Sequence, residues 1–250
     1  MTEFEYIIDL HRNSERQGPG SEADTLKALS FVTPPKDRPM VIADIGCGSG
    51  GQTLTLAKHT DGIIKAVDLF PEFLEELDEK VKAEGLENRI KTVQASMTTM
   101  PFAKEEFDLI WSEGAIYNIG FEKGIRQWHK LLKPGGFLAV SEITWITENR
   151  PKAIDDFWNT EYPEISRASK KIKQLEDNGY TLAGYFYLPP ESWNDSYYAP
   201  MEARFDDYLE RNDHAEAARE VVDENRREIA LYNEFKDFYS YGFYIARKDG

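Results

Sequence analysis

Short apolar runs recur along the first 143 residues with helix-length segments between them, and that alternation leaves few ways for the chain to fold. The runs are Val41–Ile45, 62–67, Ile90–Gln94, 107–111 and 137–141. The connections 71–84 and 122–132 carry apolar residues at helical spacing. Strands that alternate with helices build a parallel sheet covered on both faces. Lys133-Pro134-Gly135-Gly136 reads as the end of a helix and the start of the fifth strand. After Ile143 the composition turns aromatic, with Trp158, Tyr162, Trp193, Tyr197 and Tyr198. Two more strands are predicted, Tyr180–Tyr187 and 241–247, with a long helical region over 201–239 between them. In that region Val222, Ile229, Tyr232 and Tyr239 share one face, which predicts a helix packed on the sheet edge with its charged side in solvent. No repeat or linker divides the 250 residues, so one domain over 1–250 is expected.

The first strand runs into Asp44-Ile45-Gly46-Cys47-Gly48-Ser49-Gly50-Gly51, and a helix over 52–59 follows. A buried strand, a glycine turn and a helix N-terminus make the local geometry that binds nucleotide-like ligands. Gly46, Gly48 and Gly51 satisfy G-x-G-x-x-G, a weak signal by itself. Asp44 sharpens it. A fixed carboxylate in the mouth of the turn disfavours a pyrophosphate and favours a ligand carrying positive charge. Asp68 closes the second strand, 24 positions after Asp44. An acid there accepts both hydroxyls of a ribose through its two oxygens. Its simpler reading is a cap for the helix that starts at Pro71.

The bulk composition narrows the partners. A formal net charge of −15 argues against an extended phosphate backbone, so no nucleic-acid partner is expected. A single cysteine, Cys47, forms no intrachain disulfide and fits a reducing compartment. The N-terminus is acidic, without the apolar core of a signal peptide, and no run of about 18 apolar residues predicts a membrane span. A cytoplasmic protein with no membrane partner is expected. No Cys/His cluster has zinc spacing, so no metal site is predicted, and there is no G-x-S-x-G elbow.

Four blocks, in order, resemble the class I S-adenosylmethionine (SAM)-dependent methyltransferases of small-molecule type. They are Val41 to Gly50, Ala66-Val67-Asp68, Phe107-Asp108-Leu109-Ile110-Trp111-Ser112-Glu113-Gly114-Ala115, and Leu131-Leu132-Lys133-Pro134-Gly135-Gly136. The combination spans residues 40–142 and is far more specific than any one block. The resemblance implies an α/β fold: a Rossmann-like seven-stranded mixed sheet with helices on both faces and the last strand antiparallel. It implies SAM as methyl donor and direct in-line transfer to a small-molecule acceptor. It divides the chain into an N-terminal lid and helix over 1–35, a SAM-binding half over 36–143 and an acceptor-side half over 144–250.

The resemblance also implies roles. Asp44 attracts the cationic methionine end, against Gly46, Gly48, Gly50 and Gln52. Asp68 holds the ribose, Leu69 and Met97 sandwich the adenine, and Ser96 accepts from its amino group where the family often has an acid. Glu113 and Gly114 form the floor beside the sulfonium. Arg16 meets the SAM carboxylate, and Gln17 and Gly18 hydrogen-bond to the donor, although Arg16 to Gly20 also reads as a plain turn before a capped helix at 21–30. Tyr117 looks into the acceptor side, and Tyr117 and Glu113 are the candidate catalytic residues. Trp145, Trp193, Tyr197 and Tyr198 are candidates for an aromatic acceptor wall, suited to an apolar, ring-bearing or cationic amine acceptor. The rivals are a SAM-binding module without catalysis and a nicotinamide-dependent dehydrogenase. Monomer and homodimer both stay open.

Overall fold

A computed structural model describes residues 2–250; Met1, the first residue of the expected domain and lid, lies outside them. Eight strands form one sheet: β1 Val41–Ile45, β2 Ile63–Asp68, β3 Ile90–Gln94, β4 Phe107–Ser112, β5 Leu132–Trp145, β6 Ser166–Arg167, β7 Tyr180–Tyr187 and β8 Tyr239–Lys248. Their spatial order is β3-β2-β1-β4-β5-β8-β7, and the two-residue β6 pairs with the far end of β5. Neighbours from β3 to β5 run parallel. β8 is antiparallel to both β5 and β7. The fold is therefore the Rossmann-like mixed sheet expected, seven strands along the main path with the last strand in sequence antiparallel.

The helices are α1 Glu3–His11, α2 Glu22–Leu29, α3 Gly51–His59, α4 Pro71–Ala83, α5 Phe121–His129, α6 Lys152–Glu161, α7 Ala168–Asp177, α8 Pro190–Trp193, α9 Ala199–Glu202, α10 Phe205–Arg211 and α11 Glu216–Phe235. A one-turn π-helix, Asn194–Tyr198, joins α8 to α9. Strand residues alternate between two apolar layers. Ile42, Ile64, Leu109, Trp111 and Ala139 face one, with Leu56, Leu77 and the C-terminal helices. Ala43, Ile45, Ile110, Leu138 and Val140 face the other, with Phe121, Ile125 and Trp128 of α5. Both faces are covered, which is why these strands read as unbroken apolar runs.

Two expectations fail in instructive ways. The region 201–239 is not one helix. Asp213 and His214 adopt φ of 52° and 50°, a left-handed break between α10 and α11 that amphipathic spacing does not reveal. The turn at Lys133-Pro134-Gly135-Gly136 lies inside β5 as an irregularity, with Gly135 at φ 74°, and pairing with β4 resumes at Leu109↔Phe137. β5 is thus 14 residues long and carries the sheet well past the expected 137–141.

Candidate active site

The strand order reverses at β1, which sits between β2 and β4, and crevices at such switch points bind ligands at the carboxyl ends of the strands. A cleft of about 460 Å³ opens there. Its floor is the glycine turn. Gly46 and Cys47 donate their N–H groups to Val67 O at 2.8 and 3.0 Å, which ties the turn to β2. Gly46, Gly48 and Gly50 have φ of 74°, 53° and 89°. A Cβ on Gly46 would fall 2.4 Å from Ala115 Cβ, and one on Gly48 would fall 2.0 Å from Gln17 Oε1. Gly50 faces away from the cleft: its Cβ would meet Leu77 of α4 at 2.2 Å. Its role is the close packing of α3 against α4.

Asp68 and Asp44 sit differently from one another. Asp68 lines the cleft with 9% of its surface open. Oδ2 accepts from Gly48 N at 2.9 Å and Oδ1 from Phe70 N at 3.0 Å. Each oxygen keeps a second lone pair. Burial pushes the carboxyl above its usual range, and the Phe70 and Gly48 N–H groups pull the other way. Asp44 does not stand in the mouth of the turn. It is fully buried beneath it, where Oδ2 accepts from Thr53 Oγ1 at 2.5 Å and Oδ1 from Gln52 Nε2 at 3.3 Å. Burial raises its carboxyl to about 7, opposed mainly by the Thr53 hydroxyl. The alternation of β1 explains the place: Asp44 is the penultimate strand residue, paired with Ala66 and Trp111. Gln52 lies between this acid and the cleft, which it lines.

Glu113, a candidate catalytic residue, has both oxygens engaged. Oε2 meets Arg16 Nη1 at 2.7 Å, and Oε1 accepts from Thr25 Oγ1 at 2.7 Å and Trp111 Nε1 at 2.8 Å. Arg16 also donates from Nη2 to Thr25 Oγ1 at 3.0 Å. The two side chains are 7% and 5% exposed, so this ion pair is shielded from solvent and joins the N-terminal segment to the end of β4. Gln17 clamps the turn: its Oε1 accepts from Ser49 N at 2.8 Å and its Nε2 donates to Ser49 Oγ at 2.9 Å. Gly18 lines the cleft with nothing within 4 Å of the place a Cβ would take. The segment before it is tied to the C-terminal half. Arg204 donates to Arg12 O and Ser14 Oγ, and Arg211 pairs with Asp9.

The other end of the cleft is apolar. Leu69 is 53% exposed and stands with Met97, Phe70, Phe73 and Phe4. Phe4 packs on Phe70 with ring centres 5.0 Å apart. Ser96 also lines this end, its hydroxyl 2.9 Å from that of Thr98. Tyr117 follows β4 on a short 3₁₀ turn, Ile116–Asn118, and is 40% exposed at the cleft rim. Of the expected aromatic wall, Trp145, Trp193 and Tyr198 are core residues with 1–3% of their surface open, because β5, α8 and the π-helix turn them inward. Tyr197 keeps open surface. Sequence reasoning missed Phe4, Thr25 and Thr53. The two threonines sit at helical positions with no local pattern to single them out, and Phe4 reaches the cleft only because α1 folds over it.

Among the described residues no group of three or more His, Cys, Asp or Glu side chains is arranged to hold a metal ion. The donor set fits SAM better than a dinucleotide. Arg16 is the only lysine or arginine lining the cleft among the described residues, and Glu113 occupies it, so no free cation awaits a pyrophosphate. An acid with spare lone pairs, an apolar slot and a polar end of amides and bare glycine backbone match a ribose, a flat base and an amino-acid tail.

Comparison with known proteins agrees with this geometry. The methyltransferase-domain family model matches residues 42–136. The chain is 33% identical over 103 residues to the methyltransferase GfsG of Streptomyces halstedii, covering 41% of this chain and 37% of that protein. It is 32% identical over 176 residues to the uncharacterized methyltransferase YodH of Bacillus subtilis, covering 69% and 72%. The chain spans about half or less of the length of most of the curated relatives it matches. A SAM-dependent methyltransferase from Geobacter sulfurreducens, solved with S-adenosyl-L-homocysteine (SAH), superposes with a TM-score of 0.83 over 98% of both chains at 16% identity.

Proposed function

The chain belongs to the class I SAM-dependent methyltransferases, and we propose that it transfers a methyl group from SAM to a small-molecule acceptor seated on the Tyr117 side of the cleft. One observation carries the reading. A single cleft gathers Gly46 and Gly48 after β1, Asp68 at the end of β2, Met97 after β3 and Gly114 after β4, residues up to 68 positions apart in sequence.

SAM, when bound, supplies an electrophilic methyl on a sulfonium. What the protein adds is binding, alignment and exclusion of water. Asp68 is assigned to the ribose hydroxyls, Leu69 and Met97 to the faces of the base, and Ser96 to its edge. Gln52, Gln17, Gly18 and Arg16 surround the methionine end. Asp44 acts on that end at one remove, since Gln52 stands between. Holding acceptor and donor in line can lower the barrier by about 7–11 kcal/mol without any covalent catalysis. Glu113 is a positioning residue rather than a base, because both its oxygens are engaged by Arg16, Thr25 and Trp111. It holds Arg16 against the turn and shapes the floor beside Gly114.

Calorimetry with SAM, SAH and NAD tests the donor, and NAD binding without SAM binding overturns it. A screen of amines, phenols and carboxylates with methyl-labelled SAM tests the transfer. Tight SAM binding with no label passed to any acceptor across a broad screen would favour a binding module instead.

A further inference from the structure

Beyond Tyr117 the cleft meets a group of side chains that the donor reading leaves unused. The Tyr241 ring stands 3.9 Å from where a Cβ on Gly114 would lie, so it borders the floor of the cleft. Tyr241 stacks on Trp193, with ring centres 5.1 Å apart and planes 17° apart. Tyr197 is carried on the π-helix Asn194–Tyr198, a local geometry frequent at functional sites, and its neighbour Tyr198 donates its hydroxyl to Glu228 Oε1 at 2.9 Å. Glu228 projects from α11 into this aromatic group.

Glu228, Tyr117, Tyr197 and Tyr241 share an unusual combination. Each keeps open side-chain surface. Yet burial is the largest cause of the upward shift of each of these groups. Contacts join them to the cleft: Tyr198, which binds Glu228, packs on Tyr197 with ring centres 5.2 Å apart and on Trp193 at 6.1 Å, and Trp193 stacks on Tyr241 beside Gly114. The four also sense one another: the Glu228 charge raises all three phenols. Glu228 has no cationic partner among the salt bridges of the described residues, and its one side-chain hydrogen-bond partner there is the Tyr198 hydroxyl. Two cations that act on the neighbouring aromatic side chains are otherwise engaged. Lys171 is paired with Glu142 at 2.6 Å, and Arg204 donates to Pro200 O, Arg12 O and Ser14 Oγ. A carboxylate that its surroundings raise and that no cation meets costs free energy until something supplies one. Tyrosine faces around it attract the same kind of group.

We propose that this aromatic side of the cleft takes a basic amine as methyl acceptor, bound as its cation with the nitrogen toward Glu228 and the faces of Tyr117, Tyr197 and Tyr241. The proposal rests on the methyltransferase reading and names its substrate class. The ammonium gives one proton to the Glu228 carboxylate. The freed lone pair then forms the N–C bond as the methyl–sulfur bond breaks, its electron pair staying on sulfur. The products are an N-methylammonium, SAH and a protonated Glu228 that returns its proton to solvent.

The test uses the full chain saturated with SAH, whose own binding is measured first. Butylamine, 2-phenylethylamine and tryptamine are each titrated beside the alcohol and the carboxylate of matching shape. At least one amine is expected to bind tenfold or more tighter than its alcohol, with no binding of the carboxylates. Glu228→Gln is expected to remove that preference with SAH affinity unchanged, and Glu228→Asp, which keeps the charge, to retain part of it. Alcohols binding as well as amines, no amine binding in any set, or an undiminished amine preference in Glu228→Gln overturns the proposal. Failure of SAH itself to bind overturns the donor reading and is seen before any amine is added.

Discussion

Single residues carry most of the chemistry here, and two aspartates show how environment divides one side chain into two tasks. Asp68 meets the cleft with spare lone pairs while capping two backbone N–H groups. Asp68→Ala is expected to weaken SAM binding by about 1.5–3 kcal/mol, roughly tenfold to 150-fold in Kd, measured by calorimetry. The same change loosens the Gly48 and Phe70 amides, so a lower Tm is expected with it. Asp44 is buried with its carboxyl raised to about 7. In the unfolded chain it ionises near 4, so between about pH 4 and 7 the native state holds the extra proton. Stability therefore falls as pH rises through that window and levels off above it. Asp44→Asn removes the titration. Urea unfolding between pH 5 and 8 is expected to show a flatter profile for the variant, the native protein losing at most about 3 kcal/mol across that range through this group. The place of Asp68 at the end of β2 was legible in the sequence, but the burial of Asp44 was not. Spacing put an acid near the turn, but whether it faces ligand or core depends on which way the penultimate residue of β1 points, and that is decided by pairing with β2 and β4.

Among the elements, the glycine turn is the part most fully written in the sequence. Its φ values come from local sterics, and three glycines within five residues announce them. What the sequence does not show is what each glycine avoids. Gly46 avoids Ala115 Cβ, which the backbone holds in place, while Gly48 avoids the end of the flexible Gln17 side chain. Gly46→Ala is thus expected to cost more SAM affinity than Gly48→Ala, with both lowering Tm; equal losses would mean that positive φ alone sets the penalty. Strands were read well where both ends meet turn residues: β1, β3 and β7 match the apolar runs residue for residue. β5 was read short because its pairing with β8 continues to Trp145↔Tyr239, a long-range contact with no local marker. The break at Asp213 and His214 escaped for the opposite reason: polar residues in a charged helix face leave its apolar period undisturbed.

At the scale of the whole molecule, the N-terminal segment is bound to both halves. Arg16 pairs with Glu113, 97 positions away, and Arg204 and Arg211 hold the stretch from Asp9 to Ser14 from the other side. Pairings of that span are invisible to periodicity, which is why Arg16 was legible as a cleft residue but its partner was not. Arg204→Ala is expected to free α1 and the segment after it. Hydrogen exchange should accelerate over residues 3–17 while β1, β2 and β4 keep their protection, and SAM should dissociate faster. Unchanged exchange in that segment would show that packing of α1 on α11 is sufficient to hold it.

The chain's only cysteine lies within the turn itself, 1% exposed, with its thiol raised far above the ordinary range by burial and by Asp44 and Asp68. A native reporter is therefore already installed at the heart of the fold. An alkylating reagent can reach this sulfur only when the β1–α3 junction opens, so the labelling rate counts openings directly. No engineered probe is needed, and no second thiol contributes background. Saturating SAM should slow the labelling by the factor 1 + [SAM]/Kd, which turns a chemical clock into an independent measure of affinity.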